Sequence, residues 1–278
     1  MRLGGPLFEE YGNPEEWVEL LHDRGYAAAY CPLEPGAPAE LIEGYAAAAR
    51  EGDVVIAEVG AWSNPISPDP ETRAAAVEKC KESLALAEAI GARCCVNIAG
   101  SRGEIWHGPC AEDLTEETFE MIVTSVREIV DEVRPERTFY TLETMPRMYP
   151  DSVDSYVALV EAIDRGSFGV HFDPVNLICS PQRCFRNAGI IRDFVARLGP
   201  HIQSCHAKDI QLREQLTVHL DEVRPGRGEL DYRTYLSELA GLGVDVPIMM
   251  EHLPDAGEYA AAADHLRSVA REVGTSFD

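Results

Sequence analysis

Four short apolar runs each end in a side chain able to hold a divalent cation. They are Phe139-Tyr-Thr-Leu-Glu143, Gly169-Val-His-Phe-Asp173, Ile202-Gln-Ser-Cys-His206 and Pro247-Ile-Met-Met-Glu251. Successive runs are spaced as one strand–helix–strand repeat each. In a barrel of parallel strands, that spacing gathers three carboxylates and one imidazole at one mouth, where such barrels keep their active sites. Buried carboxylates converging on one point repel each other, and a bound cation is the usual compensation. The pattern therefore predicts a metal-dependent enzyme. Mixed carboxylate and imidazole ligation suits Mn²⁺, Mg²⁺, Co²⁺ or Zn²⁺ and does not choose among them.

The elements that would position these residues alternate along nearly the whole chain. Strands are expected at Met1–Phe8, Tyr26–Pro32, Val54–Gly60, Arg93–Ala99, Phe139–Leu142, Phe168–Phe172, Ile202–Cys205 and Val246–Met250. Helices are expected at Pro14–Arg24, Pro38–Arg50, Pro70–Ile90, Thr115–Val133, Val153–Arg165, Ile190–Leu198, Tyr232–Leu242 and Gly257–Val273. Phe119, Ile122, Val123, Val126, Ile129, Val130 and Val133 show the helical i, i+3, i+4, i+7 rhythm of a helix lying on a sheet. Gly25 and Gly91 end two of the helices, and Pro70 starts one. Eight strands, each followed by a helix, predict a parallel sheet closed into a single (β/α)₈ TIM barrel. The length of 278 residues suits one such domain over residues 1–278, since the fold typically needs about 250. No Gly-x-Gly-x-x-Gly or P-loop follows a strand, which argues against a dinucleotide or nucleotide-triphosphate site.

Forty-eight acidic residues against 24 basic ones give a formal charge of −24. Such a surface repels nucleic-acid phosphates and anionic membranes. No apolar run approaches the roughly 20 residues of a membrane span, and the N-terminus lacks a signal-peptide pattern. Eight cysteines are present without zinc-type pairing, and free thiols in a cytoplasmic protein are the expectation.

Side chains alternate along a strand, so Thr141, His171, Ser204 and Met249 should lie one layer below the four candidate ligands. His171 is then placed to orient a ligand by a hydrogen bond, or to be a satisfied core histidine. Lys208 is a candidate cation for a substrate oxyanion, or a surface ion-pair partner. Glu58, Trp62 and Asn64 around the end of the third strand, and His107 beside Trp106 in a loop after the fourth, are candidate pocket residues. Packing of those loops is the competing reading for each. Arg147, after the fifth strand, is read as a surface ion-pair partner. His252 should point away from the barrel interior.

Together these residues resemble the xylose isomerase-like TIM-barrel superfamily, the sugar phosphate isomerase/epimerase family. The resemblance rests on Leu-Glu143, His-Phe-Asp173-Pro-Val-Asn176, Cys-His206-Ala-Lys208-Asp209, Arg224-Pro-Gly-Arg-Gly-Glu-Leu-Asp231-Tyr and Met-Glu251-His. It implies that Glu143, Asp173, His206 and Glu251 bind one metal ion, usually manganese, and that Glu143 and Glu251 form an acid–base pair. It further implies a sugar or keto-sugar substrate contacted by Asn176 and Arg224, and a homodimer. Many of the epimerases carry histidine where this chain has Asn176, which can hydrogen-bond a hydroxyl but cannot titrate. The implied chemistry is removal of a proton beside a metal-polarised carbonyl to give a metal-stabilised enediolate, then its return. A leaving group β to that carbanion would turn the same site into a keto-sugar or keto-inositol dehydratase, or a keto-glycoside lyase. Two further readings are an endonuclease IV-type phosphodiesterase and a non-catalytic sugar-binding barrel. The first needs more histidines and a basic face, whereas this chain has eight histidines and a large negative charge.

Overall fold

A computed structural model of the chain describes residues 1–277; Asp278 lies outside the described residues. The strands β1 (Arg2–Gly4), β2 (Ala28–Tyr30), β3 (Val55–Gly60), β4 (Cys94–Asn97), β5 (Phe139–Glu143), β6 (Phe168–Phe172) and β7 (Ile202–Ala207) are followed by a hairpin of β8 (Asp209–Leu212) and β9 (Leu220–Val223). Strand β10 (Pro247–Met250) comes last. Eight of these pair in parallel as a closed ring in the order β1-β10-β7-β6-β5-β4-β3-β2, while β8 and β9 pair antiparallel outside it. The helices are α1 (Pro14–Asp23), α2 (Ala39–Glu51), α3 (Pro70–Ile90), α4 (Glu116–Val133), α5 (Val153–Ile163), the short α6 (Pro181–Cys184), α7 (Asn187–Leu198), α8 (Tyr232–Gly241) and α9 (Ala256–Glu272). This is the single (β/α)₈ barrel that the alternation predicts.

Helix starts are set by local chemistry. The side chains of Asn13, Asp69, Thr115, Ser152, Asp231 and Asp255 accept the backbone N–H three residues on, each satisfying one donor that a helix leaves free. The core lies between the ring of strands and the helices. Its centre on one side is Phe172, stacked on Phe194 of α7 with centroids 3.9 Å apart. Both rings are fully buried, so Phe194→Ala should cost about 3–5 kcal/mol. Because Phe172 points out to that core, the residues on either side of it, His171 and Asp173, point into the barrel.

The interior is tight at its β1 corner. A Cβ on Gly4 would stand 2.4 Å from Ala28 O and 2.6 Å from Met249 Sδ, so only glycine lets Met249 fill the interior at the level of His206, its register partner. The first strand is shorter than expected because Gly5 and Pro6 end it. The β8–β9 hairpin was not anticipated, although Leu216, Val218 and Leu220 alternate with polar residues at strand period. All eight cysteines are free, five of them buried. No helix of the described residues is long and apolar enough to cross a membrane.

Candidate metal centre

Glu143 ends β5, Asp173 and Glu251 directly follow β6 and β10, and His206 lies in β7. The fold brings one ligand atom from each to within 4.8 Å of the others. His206 Nδ1 stands 3.0 Å from Glu251 Oε1, 3.2 Å from Glu143 Oε1 and 3.9 Å from Asp173 Oδ2. Asp173 and His206 are fully buried, Glu143 is nearly so, and the Glu251 side chain is 14% exposed.

Backbone anchoring makes the cluster rigid. From α8, Tyr235 Oη donates to His206 O at 2.9 Å and Tyr232 Oη to Lys208 O at 2.6 Å. Tyr156 of α5 donates to Leu142 O and accepts from His171 N. Thr144 Oγ1 donates to Asp173 O at 2.7 Å and accepts from Asp173 N at 3.1 Å. The Asp173 Oδ1 atom accepts from the N–H groups of Val175 and Asn176, which aims Oδ2 into the cluster.

Beneath the ligands lies a second buried layer. Glu58 Oε1 accepts from His171 Nε2 at 2.9 Å and Ser204 Oγ at 2.5 Å, and Glu58 Oε2 accepts from His206 Nε2 at 3.3 Å. A carboxylate holding one ring nitrogen of a histidine fixes its orientation and leaves the other nitrogen free for a metal. Glu58 thus sits within β3 under the imidazole, where its geometry is that of a positioning group. His171 reaches His206 through Glu58 and through an edge-on ring contact of 4.2 Å. Burial alone would raise the Glu58 carboxyl, but His171 and His206 outweigh it and hold the group well below the usual carboxylate range.

Lys208 Nζ enters the same cluster, 2.5 Å from Asp173 Oδ2, 2.6 Å from Glu251 Oε1 and 3.7 Å from Glu143 Oε1. Its approach is not directed as a hydrogen bond, and those two nearest oxygens have no hydrogen-bond partner. A divalent cation would supply the same concentrated positive charge, so these two oxygens and the four-residue cluster fit one. The charges shift each other. Burial, opposed by Lys208 and reinforced by Glu143 and Glu251, pushes the Asp173 carboxyl up to about 7. Burial also works to raise Glu143 and Glu251, but His206 and Lys208 bring both below their ordinary range. For His206, burial is outweighed by Glu251, Glu58 and Glu143, so its pKa rises.

The remaining predicted residues divide. Asn176 Nδ2 donates to Glu143 Oε1 at 3.0 Å. Trp62 and Glu58 share a cavity of about 260 Å³ with Tyr30, Leu33 and Glu34. Asn64 is buried and bonded to the Ser101 backbone, holding two loops together. The exposed His107 packs edge-on against Trp106 at 5.2 Å. Arg224 pairs with Glu258 at 2.9 Å. Among the described residues, none of Trp62, Asn64, His107 or Arg224 hydrogen-bonds or ion-pairs with the four ligand residues. A groove of about 700 Å³ between α3 and α4 contains none of these residues.

Glu222 at the mouth escaped the sequence reading. Glu222 of β9 lies 3.8 Å from Lys208 Nζ and 3.0 Å from His252 Nδ1, so His252 stays at the mouth on a left-handed backbone with φ 59°. Asp209 also has a definite task. Its carboxylate accepts the N–H groups of Ile210, Gly226, Gly228 and Leu230, fastening the Arg224–Asp231 segment. A Cβ on Gly228 would stand 2.3 Å from Asp209 Oδ1, which explains a glycine there.

A family model described as "Xylose isomerase-like TIM barrel" matches residues 13–269. No curated protein matches the sequence. Among solved structures, D-psicose 3-epimerase with D-tagatose from Clostridium cellulolyticum H10 is similar at TM-score 0.72 and 17% identity, over 99% of this chain and 100% of that one. The 3-keto-D-glucoside 4-epimerase from E. coli gives 0.68 and 15%, over 96% and 99%. A xylose isomerase-like TIM-barrel protein from Mycobacterium smegmatis in complex with magnesium gives 0.66 and 15%, over 94% and 89%. At these identities the likeness shows the fold alone.

Proposed function

The chain belongs to the xylose isomerase-like TIM-barrel family, and from that premise we propose that it is a divalent-metal-dependent isomerase or epimerase of a keto-sugar or sugar derivative. The observation that carries this reading is the buried cluster of Glu143, Asp173, His206 and Glu251, in which Asp173 Oδ2 and Glu251 Oε1 have ion-pair neighbours but no hydrogen-bond partner. Those four would hold the ion. When bound, it would polarise a substrate carbonyl and acidify the neighbouring C–H. Manganese is the first ion to test, with magnesium supported by the mycobacterial relative.

Glu143 and Glu251 are the acid–base pair of this mechanism. Strands β6 and β7 separate the strands that carry them, so the two carboxylates approach a substrate from different sides. Both are held below the ordinary carboxylate range, and so both are charged and able to accept a proton near neutrality. One removes the proton beside the carbonyl. The other, having first taken a proton from solvent, delivers it from its own side, to the same carbon in an epimerisation or to its neighbour in an isomerisation. Positioned general acid–base help of this kind is worth about 10²–10⁴-fold. Asn176 fixes the Glu143 carboxylate by its hydrogen bond to Oε1, and Glu58 fixes His206.

The test is metal content per chain after purification without chelator and again after Mn²⁺ addition, followed by a keto-sugar screen in D₂O. About one ion per chain and solvent deuterium in recovered sugar would support the reading, and product analysis separates epimerisation from loss of water or an aglycone. A folded protein that takes up no metal under either condition would sink it.

A further inference from the structure

Lys208 stands in the way of the ion that this cluster would hold, and the consequence rests on the metal-centre reading above. Its side chain is 3% exposed, and its ammonium lies against Asp173 Oδ2 and Glu251 Oε1, the two ligand oxygens with no hydrogen-bond partner. An ammonium at 2.5–2.6 Å from these oxygens and a divalent ion held by the same oxygens repel strongly, since little water separates them. They also draw on the same negative charge. The nearest carboxylate outside the ligand set is Glu222, with Oε2 3.8 Å from Nζ. Glu222 is 36% exposed and sits on β9, in the hairpin that begins immediately after Lys208. Its other partner is His252, next to the ligand Glu251.

We infer that Lys208 is a competing cation built into the metal centre, and that Glu222 receives it when an ion binds. As the counter-charge, Lys208 keeps three ligand carboxylates gathered at one point. When the ion arrives, the ammonium moves from Asp173 and Glu251 toward Glu222, and the β8–β9 hairpin gains an ion pair at its base. Metal affinity is thereby set by the Lys208–Glu222 pair as well as by the ligands, and occupancy is reported to the hairpin beside the mouth.

The experiment is a double-mutant cycle read by calorimetric titration of Mn²⁺ into wild type, Lys208→Met, Glu222→Gln and the double variant. Lys208→Met should bind Mn²⁺ at least about fivefold more tightly than wild type, and Glu222→Gln several-fold more weakly, a coupling of the size contacting charges show. In the Lys208→Met background, Glu222→Gln should change nothing, because there is no ammonium left to receive. A lower melting temperature of Lys208→Met in chelator, restored by Mn²⁺, is the accompanying result. Should Lys208→Met not fold, Glu222→Gln at its half-exposed position still decides, since unchanged affinity there would overturn the inference. Wild-type binding with no gain in a folded Lys208→Met would overturn it alone. No Mn²⁺ binding by wild type would overturn the metal-centre reading, and this inference with it.

Discussion

Lys81 and Lys208 each face at least three carboxylates, yet they sit in opposite surroundings. Lys81 on α3 reaches Glu78, Glu128 and Glu132 at 2.8, 3.0 and 2.6 Å, between α3 and α4. Lys208 reaches Asp173 and Glu251 at 2.5 and 2.6 Å, with Glu143 farther off. The difference lies in the acids. Those around Lys81 are 54–63% exposed, whereas Glu143, Asp173 and Glu251 are at most 14% exposed. Water solvates the first group whatever the lysine does. In the second group each charge depends on the others, as Asp173 shows by its upward shift. Like composition therefore gives a surface ion-pair network in one place and a buried, mutually dependent charge cluster in the other, because burial sets how much each charge needs a partner.

Removing a buried acid should give the largest effect. Glu251→Gln keeps the size of the side chain and removes one anionic ligand, so Mn²⁺ uptake should fall more than about 100-fold, and keto-sugar turnover should disappear. Equilibrium dialysis of the folded variant checks it, and retained stoichiometric metal would place the centre elsewhere. Glu58→Gln tests the layer beneath. Losing the charge that holds His206 Nε2 should cost about 10–100-fold in metal affinity while leaving the four ligands in place. An unchanged affinity would make Glu58 a packing residue.

The buried group should also show in pH dependence. The Asp173 carboxyl lies up near about 7 through burial and its acidic neighbours, and it must be unprotonated to bind a metal. Its folded value exceeds the unfolded one, so its contribution to stability in chelator is present at low pH and lost as pH rises through about 7. Metal binding runs the other way. Affinity should weaken by about tenfold or more per pH unit below about 7, since Asp173 must lose a proton and His206, whose pKa is also raised, must lose another. Titrations between pH 5 and pH 8 that show flat affinity would remove Asp173 from the ligand set.

These contrasts were only partly visible in the sequence. The gathering of Glu143, Asp173, His206 and Glu251 was legible because each lies at the end of an apolar strand, and chain periodicity alone places strand ends at one mouth. Glu58 was legible only as a polar residue near a strand end. Its task depends on Ser204, His171 and His206, which belong to β6 and β7, strands that closure sets across the barrel from β3. The β8–β9 hairpin was missed because it interrupts the strand–helix rhythm with two short strands outside the ring. Glu222 was missed with it, and strand alternation beside Glu251 set His252 aside. The need for glycine at position 4 follows from Ala28 O and Met249 Sδ, which are remote in sequence. What periodicity states, the sequence shows; what closure brings together needs coordinates.

The smallest effect is expected at Lys81, and it sharpens the comparison because the local chemistry looks so similar. Lys81→Met keeps the aliphatic stem that fills the space between α3 and α4 and removes only the charge. Glu132 and Glu78 raise the Lys81 pKa against the opposing effect of burial, so its ammonium form is favoured in the fold. Those acids, however, remain more than half exposed, and solvent recovers most of what the ion pairs supply. Pairs of this kind contribute about 0–1 kcal/mol. Denaturant unfolding of Lys81→Met should therefore show a loss below about 1 kcal/mol, shrinking further in about 1 M salt, where screening reaches within about 3 Å. Mn²⁺ affinity should be unchanged. A loss above about 3 kcal/mol, the range for breaking a buried pair, would mean that the α3–α4 network is as dry as the barrel mouth, and burial would no longer explain the difference between the two lysines.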